Sequence, residues 1–323
     1  MKLYPLKFSP KYYYRIWGGN KLREKLDKKY EGDSIGESWE ISDVENCETV
    51  VSKGSLKGKT LKELITLFKE DFVGDEVYKT FGNNFPLLIK FIDAKLPLSI
   101  QVHPNDTLAK ERHNSFGKNE MWYVMEADKN AELIVGLNKE IERVEYENHL
   151  KDSTLSEILN FEKVKTGDTF HIPTGRIHAI GSGVLLAEIQ QTSNVTYRIY
   201  DYDRVDEKTG EKRELHTDLA LDAIDYKSYN NYKTNYSKNA NMSNKLVHST
   251  HFISNFINIH GTIEKDYSAI DSFIIYICVE GYLGLEYERK SYSLEKGETI
   301  MLPANLNKIR LVALYADLLE VYL

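Results

Sequence analysis

Between Val164 and Pro173 the chain runs Val-x-x-Gly-Asp-Thr-x-x-x-Pro. Between Leu294 and Pro303 it runs Leu-x-x-Gly-Glu-Thr-x-x-x-Pro, at a constant offset of 130 residues. Each copy reads as a strand, a glycine turn, a second strand and a closing proline. A module used twice within 323 residues restricts the fold to a pair of related β units. The copies differ at one position that bears on chemistry. The counterpart of His178 is Lys308, so the second unit is expected to be structural.

The rest of the chain keeps the same rhythm. FPLLIKFIDA, PLSIQVHP, EMWYVMEA and AELIVGL are short apolar or alternating runs broken by turn residues, as are GVLLAEIQQ, VTYRIYDYD and SFIIYICVEGYLGLEYE. Glu37–Val44 and Glu48–Ser52 also look extended. Helices are expected at Thr60–Phe68, with Thr60 as N-cap and Glu63 in capping-box position, over roughly Lys139–Leu159, and at Leu215–Ile224. The polar run 226–245, rich in Asn, Lys and Tyr, reads as a linker. The expected fold is mainly β with a few helices, in two units covering 1–235 and 236–323.

A net charge of -7 speaks against a general grip on nucleic acid. A small anionic ligand is compatible, because a few Lys and Arg can reverse the sign within one cleft. No run approaches the ~20 apolar residues of a membrane span. The first residues show no apolar core of a signal peptide, so a cytoplasmic location is expected. Cys47 and Cys278 lie far apart without metal-ligand spacing and read as reduced thiols.

Strand alternation puts Ser99, Gln101 and His103 on one face, with Ile100 and Val102 on the other. Such a polar face is explained by solvent, by satisfied hydrogen bonds or by a ligand. Gly167-x5-Pro173-x-Gly175-x2-His178 resembles the second cupin motif, which implies a metal-binding histidine at the mouth of a jelly-roll β-barrel. The usual asparagine four residues later is Ser182, and the candidate glutamate, Glu120, follows His103 by 17 residues across the loop NDTLAKERHNSFGKN. Both features depart from the general cupin pattern.

They are, however, similar to the short bacterial form of the type I mannose-6-phosphate isomerases. The resemblance rests on Tyr14-Arg-Ile-Trp17-Gly-Gly19, Glu37-Ser-Trp39-Glu40, Ser99-Ile-Gln-Val-His103-Pro104, Lys118-Asn-Glu120-Met-Trp122-Tyr123 and His171-Ile-Pro173-x-Gly175-x-Ile-His178. Glu188-Ile-Gln-Gln191 and Tyr197-Arg198-Ile-Tyr-Asp201 complete the series in the same order. It implies two cupin-like barrels, the second lacking metal ligands. It implies one Zn²⁺ per chain held by Gln101, His103, Glu120 and His178, an oxygen–nitrogen set that suits zinc.

The same resemblance implies interconversion of mannose 6-phosphate and fructose 6-phosphate through a cis-enediol. Arg198, Lys118 and Glu188 are the expected catalytic groups. Ser99, Lys118, Arg198 and Trp17 are expected to bind the sugar phosphate. Trp17, Trp39 and Trp122 read equally well as ordinary core. Where many relatives carry Ser-Asp before the arginine, this chain has Ser193-Asn194, and an amide does not exchange a proton as a carboxyl does. Two other readings share the fold: a non-catalytic sugar-phosphate-binding cupin, and another metal-dependent cupin enzyme such as an iron oxygenase. The expected partner is a small molecule, with neither nucleic acid nor membrane, on a monomer or weak homo-oligomer.

Overall fold

The computed structural model describes residues 2–323, and the chain is mainly β with seven α-helices among these residues. A six-stranded sheet takes the order Thr169–Ile172, Glu120–Ala127, Val184–Gln191, Leu87–Ala94, Lys11–Gly19, Ile35–Ile41. A five-stranded sheet takes the order Tyr197–Tyr200, Ile100–Val102, His178–Ile180, Glu132–Leu137, Leu159–Lys163. The two sheets pack together. Ile92, Trp122, Phe170 and Leu186 of the first share an apolar cluster with Leu133, Val135 and Ile180 of the second.

Alternation along each strand explains why the six-stranded sheet sits where it does. Every residue of Leu87–Ala94 and of Val184–Gln191 is buried. In Glu120–Ala127, Trp122 and Val124 face the five-stranded sheet, whereas Met121, Tyr123 and Met125 join a different cluster. That cluster also contains Phe256, Phe273, Ile275 and Leu319. The central strands therefore have no solvent face. One side closes on the five-stranded sheet and the other on the C-terminal strands. The five-stranded sheet turns Ile100 and Val102 outward, where they pack with Tyr146 of the helix Arg143–Lys151 and Ala220 of the helix Thr217–Ala223.

The C-terminal sheet runs Ser243–His248, Ile253–Asp266, Lys308–Tyr322, Ile274–Tyr287, Lys290–Glu295, with Thr299–Leu302 paired to Ile274–Tyr287. Here the repeat becomes a matter of hydrogen bonds. Gly167 N donates to Val124 O, and Gly297 N donates to Cys278 O, each at 2.8 Å. Both glycines hold a positive φ, +88° and +86°, which a side chain would strain. Ile172 pairs with Glu120 and, 130 residues on, Leu302 pairs with Ile274. The second copy thus has isoleucine where the first has Glu120, and exposed Lys308 where the first has His178.

Several expected elements shift at their ends or take another form. The helix Leu61–Phe68 has its capping box: the Thr60 side chain accepts from Glu63 N and the Glu63 carboxylate accepts from Thr60 N. The expected helix over 139–159 is shorter, Arg143–Lys151 followed by one 3₁₀ turn at Leu155–Glu157. The run read as a loop after His103 contains a helix, Asp106–His113, with the Asn105 side chain accepting from Leu108 N at 2.9 Å. Residues 226–245 are held down along their length. The Tyr232 hydroxyl donates to Leu137 O and the Tyr236 hydroxyl to Gly167 O, both at 2.7 Å. Both cysteines are free thiols, Cys278 buried and Cys47 partly so.

The rings of Phe85 and Phe273 lie 4.6 Å apart and both are fully buried. Phe273→Ala should cost about 3–5 kcal/mol. All three tryptophans precede residue 123. Urea unfolding followed by their fluorescence should therefore register this C-terminal change as one shifted transition across the chain. An unshifted tryptophan transition would mean that the two regions unfold independently.

Candidate active site

His103, Glu120 and His178 converge at the floor between the two sheets, with all three ligand atoms within 4.8 Å of one another and all three residues buried. His178 Nδ1–H donates to Arg176 O at 2.8 Å, and His103 Nδ1–H donates to Val195 O at 3.0 Å. A carbonyl only accepts, so both rings carry the Nδ1–H tautomer and aim an Nε2 lone pair inward. His103 Nε2 lies 3.3 Å from Glu120 Oε1, and His178 Nε2 lies 3.8 Å from Glu120 Oε2. Gln101 closes the set, its side-chain amide 3.2 Å from His178 Nε2.

Burial and the neighbouring Lys118 ammonium push the His103 imidazole down to about 3, and burial lowers His178 too. Both rings are therefore neutral near pH 7. Burial works against the charge of Glu120, but the Lys118 ammonium outweighs it and holds the carboxyl well below its ordinary range. Glu120 Oε2 is fully buried and has no hydrogen-bond partner. Two neutral imidazole nitrogens, an amide and an ionised carboxylate with an orphaned oxygen form a donor set that fits a divalent cation. The Lys118 ammonium, in contact with Glu120 and 3.1 Å from His103 Nε2, is the cation the chain itself supplies there.

Above this floor lies a cavity of about 390 Å³. Its buried charges come mostly from the inner face of the six-stranded sheet. Glu188 Oε2 accepts from Trp122 Nε1 at 2.9 Å, while Oε1 has no hydrogen bond and stands 3.3 Å from Lys90 Nζ. Burial and the charge of Glu120 raise the Glu188 carboxyl above its ordinary value. Glu37 Oε2 accepts from Trp39 Nε1 at 2.7 Å and from Arg15 at 2.8 Å. Burial opposes its charge, but Arg15, Lys90 and the indole outweigh it and bring Glu37 down to about 2. Arg198 also lines the cavity. One guanidinium nitrogen donates to Glu214 O at 2.7 Å, and among the described residues Nε has no partner and the side chain makes no carboxylate ion pair. Arg15, Lys90, Lys118 and Arg213 are each paired with one.

Every residue singled out from the sequence reaches this site. Gln101, His103, Glu120 and His178 form the floor, and Ser99, Trp17, Lys118, Glu188 and Arg198 line the cavity or border it. Trp17 reaches the wall because Gly36 lies beneath its ring, where a Cβ would collide with it. Trp122 and Trp39 are core and site at once, with apolar rings whose N–H groups hold carboxylates. Asn194 stands exposed at the mouth and is shared with a wider depression of about 1080 Å³ that contains none of the four floor residues. Sequence reasoning missed Lys90, Arg15 and the role of Glu37. The available signal was Lys90 itself, a lone cation inside the apolar run Leu-Leu-Ile-Lys-Phe-Ile.

The catalytic-domain model of type I phosphomannose isomerase matches residues 5–139, and the mannose-6-phosphate isomerase cupin-domain model matches residues 242–318. The mannose-6-phosphate isomerase ManA of Bacillus subtilis is 34% identical, over 95% of each chain. The chain belongs to the type I mannose-6-phosphate isomerases. The enzyme of that name from Streptococcus mutans is also 34% identical, over 93% of this chain and 92% of its own. Among solved structures, the mannose 6-phosphate isomerase from Bacillus subtilis superposes with a TM-score of 0.90 at 33% identity, covering 99% of both chains. This isomerase-family chain has no helix, among its described residues, long and apolar enough to cross a membrane.

Two outcomes follow from the site. His178→Ala removes one inward lone pair, so metal analysis after gel filtration should find the cation lost. Full retention would remove His178 from the ligand set. Glu37 has a folded value below its ordinary 4.5, so its contribution to stability is present above pH ~4.5 and disappears as pH falls towards ~2. Glu37→Gln should flatten that acid limb, by on the order of 3 kcal/mol. Parallel pH–stability curves for the two proteins would contradict this.

Proposed function

We propose that the chain is a zinc-dependent aldose–ketose isomerase that interconverts mannose 6-phosphate and fructose 6-phosphate through a cis-enediol. The observation that carries this is a buried neutral-imidazole donor set that adjoins, through Gln101 and Lys118, a cavity lined by the Glu188 carboxylate with one free oxygen and by an arginine without a carboxylate partner among the described residues. Gln101, His103, Glu120 and His178 are read as the zinc ligands, one ion per chain. When bound, zinc supplies Lewis-acid polarisation of the sugar oxygens.

The chain's own groups do the rest. Glu188 is the proposed base, moving the proton between C2 and C1. Trp122 fixes one of its oxygens, leaving Oε1 to face the sugar, and a carboxyl raised towards neutrality suits proton transfer. Lys118, its ammonium held charged by Glu120 and Glu188 against the cost of burial, offsets negative charge developing on the sugar oxygens. Arg198 receives the phosphate, for which a guanidinium offers two parallel donors. Ser99 and Trp17 shape the wall. Asn194 donates and accepts hydrogen bonds at the mouth but moves no proton there.

Residues 1–235 are read as the catalytic cupin unit and 236–323 as a second jelly-roll barrel kept for packing, since Ile274 and Lys308 stand at its ligand positions. The two unpaired thiols support a cytoplasmic location. The same reading takes the chain as a monomer or weak homo-oligomer without membrane or nucleic-acid partners.

A coupled assay for fructose 6-phosphate, on chelator-stripped protein with and without added Zn²⁺, should show turnover restored by the metal. Folded, metal-loaded protein that binds the sugar without converting it would identify a binding protein instead. Arg198→Ala should keep its zinc and lose roughly 100-fold or more in kcat/KM. Wild-type kinetics in that variant would take Arg198 out of the reaction.

A further inference from the structure

One wall of the cavity belongs to neither sheet. After Tyr197–Tyr200 the chain runs out and back as a hairpin. Val205 bridges Lys212, Asp206 N donates to Glu211 O at 2.9 Å, and Gly210 N donates to Asp206 O at 2.7 Å. Asp206, in the hairpin, and Arg213, where it returns, both line the cavity.

The root is firmly held. The buried Asp201 carboxylate accepts from Arg213 Nε at 2.8 Å, from the Arg213 terminal nitrogen at 2.5 Å and from Arg204 at 2.5 Å. Arg204 also donates to Pro97 O at 2.6 Å. Tyr202 and Asp203 carry φ of +57° and +54°, a left-handed pair that side-chain-bearing residues keep only where their surroundings impose it.

Beyond the root the hairpin is nearly bare. Residues 207–212 are exposed, as is Val205. Among the described residues, its fastening to the opposite wall is a single side chain. The Tyr14 hydroxyl donates to Asp206 Oδ1 at 3.1 Å, and Lys208 Nζ lies 3.5 Å from the centre of the Tyr14 ring. The same Asp206 oxygen accepts from Lys208 N at 2.9 Å, so one atom sets both the turn and the fastening. Tyr14 belongs to the strand Lys11–Gly19, across the cavity from the hairpin root. A segment with a braced root, a solvated tip and one half-buried contact pair opens at little cost, as lids over enclosed sites do.

We infer that the hairpin 205–212 is a lid over the cavity, latched by Tyr14 and Asp206, and that these two are positioning residues for the sugar phosphate. The identity of the ligand rests on the proposed function; the lid itself rests on the contacts above. Closed, the lid completes the wall opposite the strand 11–19 and keeps water from the bound sugar. Open, it frees the passage between Tyr14 and Arg213 for entry and release.

Amide hydrogen exchange on the metal-loaded full chain, with and without mannose 6-phosphate, tests this together with steady-state kinetics. Sugar phosphate should slow exchange across 206–211. Tyr14→Phe keeps the ring and loses the hydroxyl. It should speed that exchange and raise KM about fivefold, the worth of one such hydrogen bond, with kcat changed by less than about twofold. Asp206→Ala should behave alike, and the double variant should be no worse than the more affected single, because both break one latch. Additive effects on KM, or hairpin exchange indifferent both to ligand and to Tyr14→Phe, would overturn the lid. Protection of the hairpin by mannose 6-phosphate without turnover would leave the lid standing and sink the isomerase reading. Turnover with a hairpin that ignores ligand would do the reverse.

Discussion

Glu37, Lys90, Glu120 and Glu188 are buried side chains on strands packed between two apolar clusters, and a buried ion costs several kcal/mol unless it is paired. Much of the interior follows from that constraint. Trp39 and Trp122 supply N–H donors where purely apolar rings would have packed as well. Arg15 enters from a neighbouring strand to meet Glu37, and Lys118 stands two residues before Glu120 to neutralise it. The polar atoms left unmatched among these charged groups are Glu120 Oε2, Glu188 Oε1 and Arg198 Nε. Glu188 and Arg198 line one cavity and Glu120 adjoins it behind Lys118, which is where an incoming ligand can complete them.

The sheet's second face gives the C-terminal copy a role that needs none of the first copy's site residues. Met121, Tyr123, Leu185 and Ile189 would otherwise meet solvent, and the strands around Phe256 and Ile275 cover them. The repeat therefore preserves a packing surface. What was conserved between copies, the glycine turn and its two backbone hydrogen bonds, is what a strand junction requires. What differs, Glu120 against Ile274 and His178 against Lys308, belongs to the buried cluster that could hold a cation.

Local patterns carried well from sequence to structure. Alternation about Gln101 sorted inward from outward side chains, Thr60 and Glu63 marked a helix start, and the glycine–proline spacing before His178 picked out a member of the buried His103–Glu120–His178 cluster. Properties set by distant neighbours did not carry. Lys90 sits in an apolar run, and only the approach of Glu188 on the adjacent strand shows why a cation belongs there. The helix Asp106–His113 has weak apolar periodicity because it buries one residue, Ala109, so its main signal was the cap at Asn105. The segment 226–245 looked like a linker because its anchoring tyrosines bind backbone carbonyls, which leave no trace in a sequence.

The two inward-facing histidines owe their tautomer to the carbonyls of Arg176 and Val195. In many sites that role falls to a carboxylate side chain, which a single substitution can remove. A main-chain carbonyl is present whatever residue occupies the position. The orientation of both rings is thus insulated from drift at positions 176 and 195, provided the backbone keeps its path. The side chains there are free to be selected for something else: Arg176, which stacks on Tyr229 and Tyr232, already serves the packing of the connecting segment. The chemistry at the floor and the evolution of the shell around it are uncoupled by the choice of partner.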